Sequence, residues 1–136
     1  MDFVNELRKR GKRITNAREV VCKILETSGH KHFTVEELHK LSLKKDKNID
    51  LATVYRTLEL LENINLIEHS HQVHGSGLYF VKDVHSNIHI VCESCRDISD
   101  LDIKTSEKVN YLITSKTNFR EITNHFVYSG YCKKCK

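Results

Sequence analysis

The chain of 136 residues contains no proline and only five glycines. Two of the usual stop signals for helices and strands are therefore scarce, and boundaries must be read from caps and from changes in hydrophobic period. No apolar run approaches the ~20 residues that a membrane-spanning helix needs. The opening Met1-Asp2-Phe3-Val4-Asn5-Glu6 lacks the basic start and apolar core of a secretory signal. A soluble, cytoplasmic protein is expected, of one domain or two small ones. No internal repeat or low-complexity segment stands out. The chain also has no His-Glu-x-x-His or comparable motif that would place a general base beside a metal, which counts against a zinc hydrolase. The net charge of +4 is too small to announce a nucleic-acid partner by itself. Its placement is more informative: Arg8, Lys9, Arg10, Lys12, Arg13 and Arg18 crowd the first eighteen residues, against only Asp2 and Glu6.

What the chain does have is cysteine in a pattern. Four of its five cysteines form two pairs, Cys92-Glu-Ser-Cys95 and Cys132-Lys-Lys-Cys135, thirty-six residues apart. Cys-x-x-Cys lets two thiolates reach one ion, and two such pairs close a tetrahedral shell around structural Zn²⁺. In a reducing compartment this reading is favoured over disulfides. A closed shell leaves no open position for catalysis, so neither a zinc enzyme nor a thiol oxidoreductase is expected. Cys22, beside Val21 and Ile24, reads as a small core residue.

The first half reads as helices. A short basic helix near residues 2–10 ends at Gly11. Thr15 caps a second, which runs to about Ser28 and stops at Gly29. Thr34 caps a third from Val35 to about Lys45, with Glu37 completing a capping box. Asp50 caps a fourth through about Asn63, with Val54, Leu58 and Leu61 on one face. Period two then takes over. Ile67 to Val73 alternates as a strand, His74 to Gly77 makes a turn, and Leu78 to Val81 returns. Helix, helix, short loop, helix and hairpin is the order of a winged helix-turn-helix. Further strands cover His85 to Val91, Asp97 to Leu101 and about Phe119 to Tyr128. A helix fits Thr105 to about Ser115, with Val109, Leu112 and Ile113 as its apolar positions. A recognition helix presents its first turns to the major groove, and Ala52, Thr53, Tyr55 and Arg56 are suited to bases and phosphates while Val54 and Leu58 turn inward.

Leu51-Ala52-Thr53-Val54-Tyr55-Arg56-Thr57-Leu58, the lead-in His85-Ser-Asn-Ile-His89 and the two cysteine pairs stand in an order that resembles the ferric uptake regulator (Fur) family of metal-responsive repressors. The resemblance runs from Arg13-Ile14-Thr15-Asn16-Ala17-Arg18 to Cys135. It implies an α+β fold, with an N-terminal winged helix-turn-helix domain over residues 1–82. A C-terminal α/β dimerisation domain over 83–136 would carry the four-cysteine zinc site. It also implies a homodimer that binds AT-rich palindromic operators when metal-loaded, with Arg13, Thr15 and Arg18 joining the recognition helix on DNA.

Side chains of His85, Asn87 and His89 share one face of a strand. By the resemblance, His32 ahead of the third helix, His85 and His89 in the lead-in, and Asp100 beyond the first cysteine pair form a sensor site. A second cluster, His69 and His71 on the wing with His125, resembles the nickel-responsive branch. Imidazole-rich sites suit Zn²⁺ or Ni²⁺, and Fe²⁺ also accepts imidazole, so the regulatory ion is left open among these. The chain departs from the family's usual pattern in four places. Ser86, Asn87 and Ile88 thin the histidine run, and Tyr79-Phe80-Val81 stands where an acidic ligand is common. Arg96 replaces a glycine, and Asn16-Ala17 replaces Pro-Gln. Two alternatives remain: a peroxide-sensing iron-dependent repressor of the same family, and a metal-independent DNA-binding protein with only a structural zinc.

Overall fold

The computed structural model describes residues 1–29, 31–72, 75–82, 88–122 and 126–135, and the side chains of residues 71, 72, 75 and 126 lie outside that description. The chain divides into two compact units, Met1–Lys82 and Asp83–Lys136. Among the described residues no helix is long and apolar enough to cross a membrane.

The first unit carries α1 (Phe3–Lys9), α2 (Asn16–Thr27), α3 (Val35–Leu43) and α4 (Leu51–Asn63), followed by β1 (Ile67–Gln72) and β2 (Gly75–Val81). Each helix starts where a side-chain oxygen satisfies one of the free N–H groups of its first turn. Asp2 accepts from Asn5 N, Thr15 from Arg18 N, and Asp50 from Thr53 N. Thr34 and Glu37 form the full capping box. Gly11 and Gly29 follow α1 and α2 with φ of 67° and 59°, a left-handed conformation that glycine adopts without penalty. The core is built from the inward faces: Leu7, Val21, Leu25, Leu38, Val54, Leu58 and Leu61 are essentially inaccessible, and Cys22 lies among them.

β1 and β2 pair antiparallel, with Ile67 opposite Val81, Glu68 opposite Phe80 and His69 opposite Tyr79. A third rung comes from the α2–α3 loop, where Phe33 and Tyr79 exchange backbone hydrogen bonds of 2.9 and 2.8 Å. The returning arm starts at Gly75, earlier than the expected Leu78, because Gly75 to Gly77 continue the pairing instead of forming the turn. The winged helix-turn-helix arrangement is thus present.

The second unit holds β3 (Ile88–Cys92), β4 (Ile98–Asp100), α5 (Ile103–Lys116) and β5 (Phe126–Gly130). Its sheet has the order β4-β3-β5; β3 is antiparallel to β4 and parallel to β5. Parallel neighbours need a long crossover, which α5 supplies. Helix α5 begins at Ile103, two residues before the expected Thr105, because Asp102 is the cap and accepts from Thr105 N at 3.1 Å. The last strand starts at Phe126, not near Phe119; the exposed Phe119 lies outside any strand. The apolar stripe expected on α5 turns inward only in part: Val109 and Ile113 are half-buried, but Leu112 is not. Leu112 is 58% exposed and Tyr111 70%, and Ser106 is the helix's one buried residue.

Truncating a fully enclosed side chain of the helical core leaves a cavity. Leu58→Ala is expected to destabilise the first unit by about 2–5 kcal/mol, read as a lower urea midpoint with an unchanged slope.

Candidate metal centre and nucleic-acid interface

The cysteine cluster is built by strand pairing. The parallel register sets Cys92, the last residue of β3, beside Gly130, the last of β5. Each strand then runs into a tight turn that carries its second cysteine. In the first turn Arg96 N–H donates to Cys92 O at 2.9 Å; in the second, Cys135 N–H donates to Cys132 O at 2.9 Å. The sulfurs of Cys92, Cys95, Cys132 and Cys135 all lie within 4.8 Å of one another. For Zn–S bonds of about 2.3 Å, a regular tetrahedron has edges of roughly 3.8 Å. The Cys95–Cys132 Sγ separation is 3.8 Å. The four residues therefore fit a tetrahedral thiolate-bound ion.

Local hydrogen bonding prepares one of these thiols. The Cys132 N–H reaches Cys92 Sγ at 3.4 Å. That bond and the Cys95 N–H lower the Cys92 pKa to about 6, since donors to sulfur favour the thiolate. The Asp97 N–H acts the same way on Cys95, but Cys92, burial and the two distal cysteines outweigh it and raise Cys95 to about 12. For Cys135 the Ser94 side chain lowers the pKa, yet the balance with Cys132, Cys92 and burial raises it. Neighbouring negative charges oppose each other, so the lowered pKa of Cys92 goes with raised ones at Cys95 and Cys135.

Sequence reasoning placed Arg96 only as a departure from glycine. In the structure it takes φ 64°, a conformation that costs a side-chain-bearing residue about 1–2 kcal/mol. The signal was present in the sequence: a turn that closes on Cys95 needs a left-handed residue next.

The expected imidazole ligands are placed unit by unit. In the second unit His89 is buried on β3 directly opposite Asp100 on β4. Their side chains meet, His89 Nδ1 to Asp100 Oδ1 at 2.5 Å. A carboxylate on one ring nitrogen fixes the ring's orientation and favours metal binding through the other. In the first unit His32 is buried, with its ring stacked on Phe80 at 4.4 Å and 17°. His85 lies outside the described residues. For the second cluster, His69 stacks on Tyr79 at 4.6 Å and 5°, with Nδ1 3.5 Å from Glu62 Oε1. Gly77 makes room for it: a Cβ there would lie 2.7 Å from His69 Nε2. The His71 side chain and all of His74 and His125 lie outside the described residues.

On the helical side, the first turns of α4 divide as a groove-reading helix requires. Ala52, Tyr55 and Arg56 are exposed, while Val54, Thr57 and Leu58 are buried. Arg56 Nη2 reaches Thr53 Oγ1 at 3.4 Å. At the start of α2, Thr15 caps the helix and Arg18 Nη1 donates to the Arg13 carbonyl at 2.5 Å. One contact that sequence reasoning missed holds the helix-turn-helix closed. His39 Nε2 donates to the Ile49 carbonyl at 2.8 Å, just before the α4 cap.

Comparison with known proteins gives one consistent result. The Ferric uptake regulator family matches residues 9–129. The peroxide-responsive repressor PerR of Staphylococcus saprophyticus is 29% identical over 99% of this chain and 90% of its own length. The ferric uptake regulator of Helicobacter pylori, whose structure reveals three functional metal binding sites, superimposes with a TM-score of 0.77. It shares 27% identity, over 98% of this chain and 88% of that one. The ferric uptake regulator of Vibrio cholerae shares the fold, with a TM-score of 0.80 at 24% identity over 96% of this chain and 100% of that one.

Two outcomes are expected of the cysteine site. Because Cys95 and Cys135 hold their protons at neutral pH while Cys92 does not, loading metal-free protein with Zn²⁺ at pH 7 should release about two or more protons. Calorimetry in buffers of different ionisation enthalpy measures this directly. Arg96→Gly should relieve the left-handed turn and stabilise the second unit by about 0.5–1 kcal/mol after the entropic cost of glycine, read as a higher thermal midpoint of the zinc-loaded protein.

Proposed function

The chain belongs to the ferric uptake regulator family, and from that membership we propose that it is a metal-dependent transcriptional repressor. In this reading it binds AT-rich palindromic operators as a homodimer when its sensor site is loaded, and controls genes of metal uptake or homeostasis. Residues 1–82 are the DNA-binding domain and 83–136 the dimerisation and metal-binding domain.

The observation that carries the reading is the outward face of α4. It offers Ala52, Tyr55 and Arg56 to solvent at the start of a helix whose other side is core. A major-groove helix needs this division. Thr53, and Arg13, Thr15 and Arg18 at the start of α2, extend the surface toward the phosphates. Dimerisation is supported by the apolar surface of the second unit. Tyr111, Leu112, Phe119, Tyr128 and Tyr131 are exposed, more than a unit of about fifty residues leaves to solvent without reason.

Cys92, Cys95, Cys132 and Cys135 hold one structural Zn²⁺ per subunit in this proposal, which ties the segment after β5 to the end of β3. Sensing is assigned to His32, His85, His89 and Asp100. Asp100 accepts from His89 Nδ1 and so orients the ring; in this reading His89 would bind the ion through Nε2. Phe80 fixes the plane of the His32 ring. A divalent ion, Zn²⁺, Fe²⁺ or Ni²⁺, would supply positive charge and fixed coordination angles there. Ligands drawn from both units would favour one arrangement of them, and with it one spacing of the recognition helices in the dimer. His69, His71 and His125 are assigned to a second site.

The test is a gel shift with metal titration. Operator DNA should be retained by metal-loaded protein and released once a mild chelator strips the sensor ion while one zinc per subunit stays bound. His32→Ala and His89→Ala should abolish the metal-dependent part without changing the thiolate-bound zinc. Equal affinity with and without the sensor ion would leave a metal-independent DNA binder. Loss of binding on peroxide treatment of the iron-loaded form alone would select the peroxide-sensing reading.

A further inference from the structure

We propose that a hydrogen bond from Asn16 to Asp46 locks the α3–α4 turn onto the start of α2. The lysines of that turn, Lys44, Lys45 and Lys47, then meet DNA phosphates as one rigid surface with Arg13 and Arg18. The inference rests on the DNA-binding reading above and adds to it a surface and the residue that positions it.

Asp46 is the hub. Its backbone N–H, like that of Lys45, donates to the Ser42 carbonyl, at 3.0 and 2.9 Å, which continues the last turn of α3. Its Oδ1 accepts from Asn48 N at 2.9 Å, which closes the turn on itself. Its Oδ2 accepts from Asn16 Nδ2 at 2.6 Å, thirty residues back in sequence. Both oxygens of the one acidic residue among residues 44–48 are thereby engaged in hydrogen bonds. Lys44, Lys45 and Lys47 are exposed around it. His39 holds the far end of the same turn through the Ile49 carbonyl, immediately before the α4 cap Asp50.

The other partner of the brace is as well placed. Asn16 is the first residue of α2, next to the cap Thr15, and the Arg18 guanidinium folds back onto the Arg13 carbonyl across it. The Asn16–Asp46 bond therefore joins the arginines at the start of α2 to the lysines ahead of α4. Ordering a loop during binding costs affinity; a turn already held at both ends avoids that cost. Five cations on one braced surface would displace counterions together, and each phosphate contact contributes about 0.9 to the slope of log affinity against log salt.

The experiment is a double-mutant cycle on the full-length, metal-loaded protein with an AT-rich palindromic duplex, using Asn16→Ala, Asp46→Ala and the pair. Circular dichroism of each variant checks that the helices are retained. Asn16→Ala should weaken binding about two- to tenfold, the range of one exposed-to-half-buried hydrogen bond. In the Asp46→Ala background the same change should have no effect. In parallel, the triple change Lys44→Gln, Lys45→Gln and Lys47→Gln should lower the salt slope by about two to three. Additive single effects in the cycle, or an unchanged salt slope, overturn the proposal while leaving the repressor reading intact. Failure of the unaltered protein to bind the duplex overturns the DNA-binding reading and this inference with it.

Discussion

Four sulfurs must converge on one point, and the architecture of the second unit follows from that requirement. Among its described residues the buried apolar ones are few, chiefly Ile88, Val91 and Cys92 on a single strand. Units of this size are marginal unless something besides a core holds them together. The parallel register of β3 and β5 brings two strand ends side by side, and each then curls into a turn that presents a cysteine pair. The crossover through α5 exists to make that register reachable. A thiolate-bound ion at the junction would close a loop that hydrophobic contact alone holds weakly.

In the proposed function the same strand serves two chemistries because its side chains alternate. Ile88 and Cys92 belong to one face of β3, and His89 and Val91 to the other. Whatever fixes Cys92 at the strand's end therefore also fixes the direction in which the His89 imidazole leaves the sheet. Asp100 on β4 completes the placement by seating the ring through Nδ1. In the proposed function the structural site is thus the foundation of the sensing one: a thiolate cluster sets a strand, and the strand aims an imidazole.

Much of the first unit was legible because its signals are local. A cap and its target lie three residues apart, so Thr15, Thr34 and Asp50 announce their helices within one turn of chain. The cysteine cluster was legible for a similar reason, since spacing within each pair is what a tetrahedral ion constrains. Errors arose where the deciding partner is distant. Gly75 to Gly77 read as a turn by composition, but pairing with β1 drew them into a strand, and the Gly77 position accommodates a ring from across the hairpin. Leu112 read as inward by period, yet a period identifies a face without saying what covers it. Asn16 read only as a departure from the family's Pro-Gln; its meaning comes from a carboxylate thirty residues away. The histidines fall between these cases. His89 and Asp100 are joined by strand register, which sequence alternation hints at, whereas the Phe80 ring under His32 is a contact across elements.

The parallel pairing of β3 with β5 also sets a timetable. His89 pairs with Asp100 on β4 eleven residues on, but the β5 partner of Ile88, Phe126, lies thirty-eight residues on. Contacts that span more chain form later. At roughly 5–20 residues per second of synthesis, Cys92 and Cys95 would leave the ribosome some ~2–8 s before Cys132 and Cys135 arrive. For that interval the nascent chain carries two thiols without their partners, and the fold's most constrained corner is also the last to be assembled.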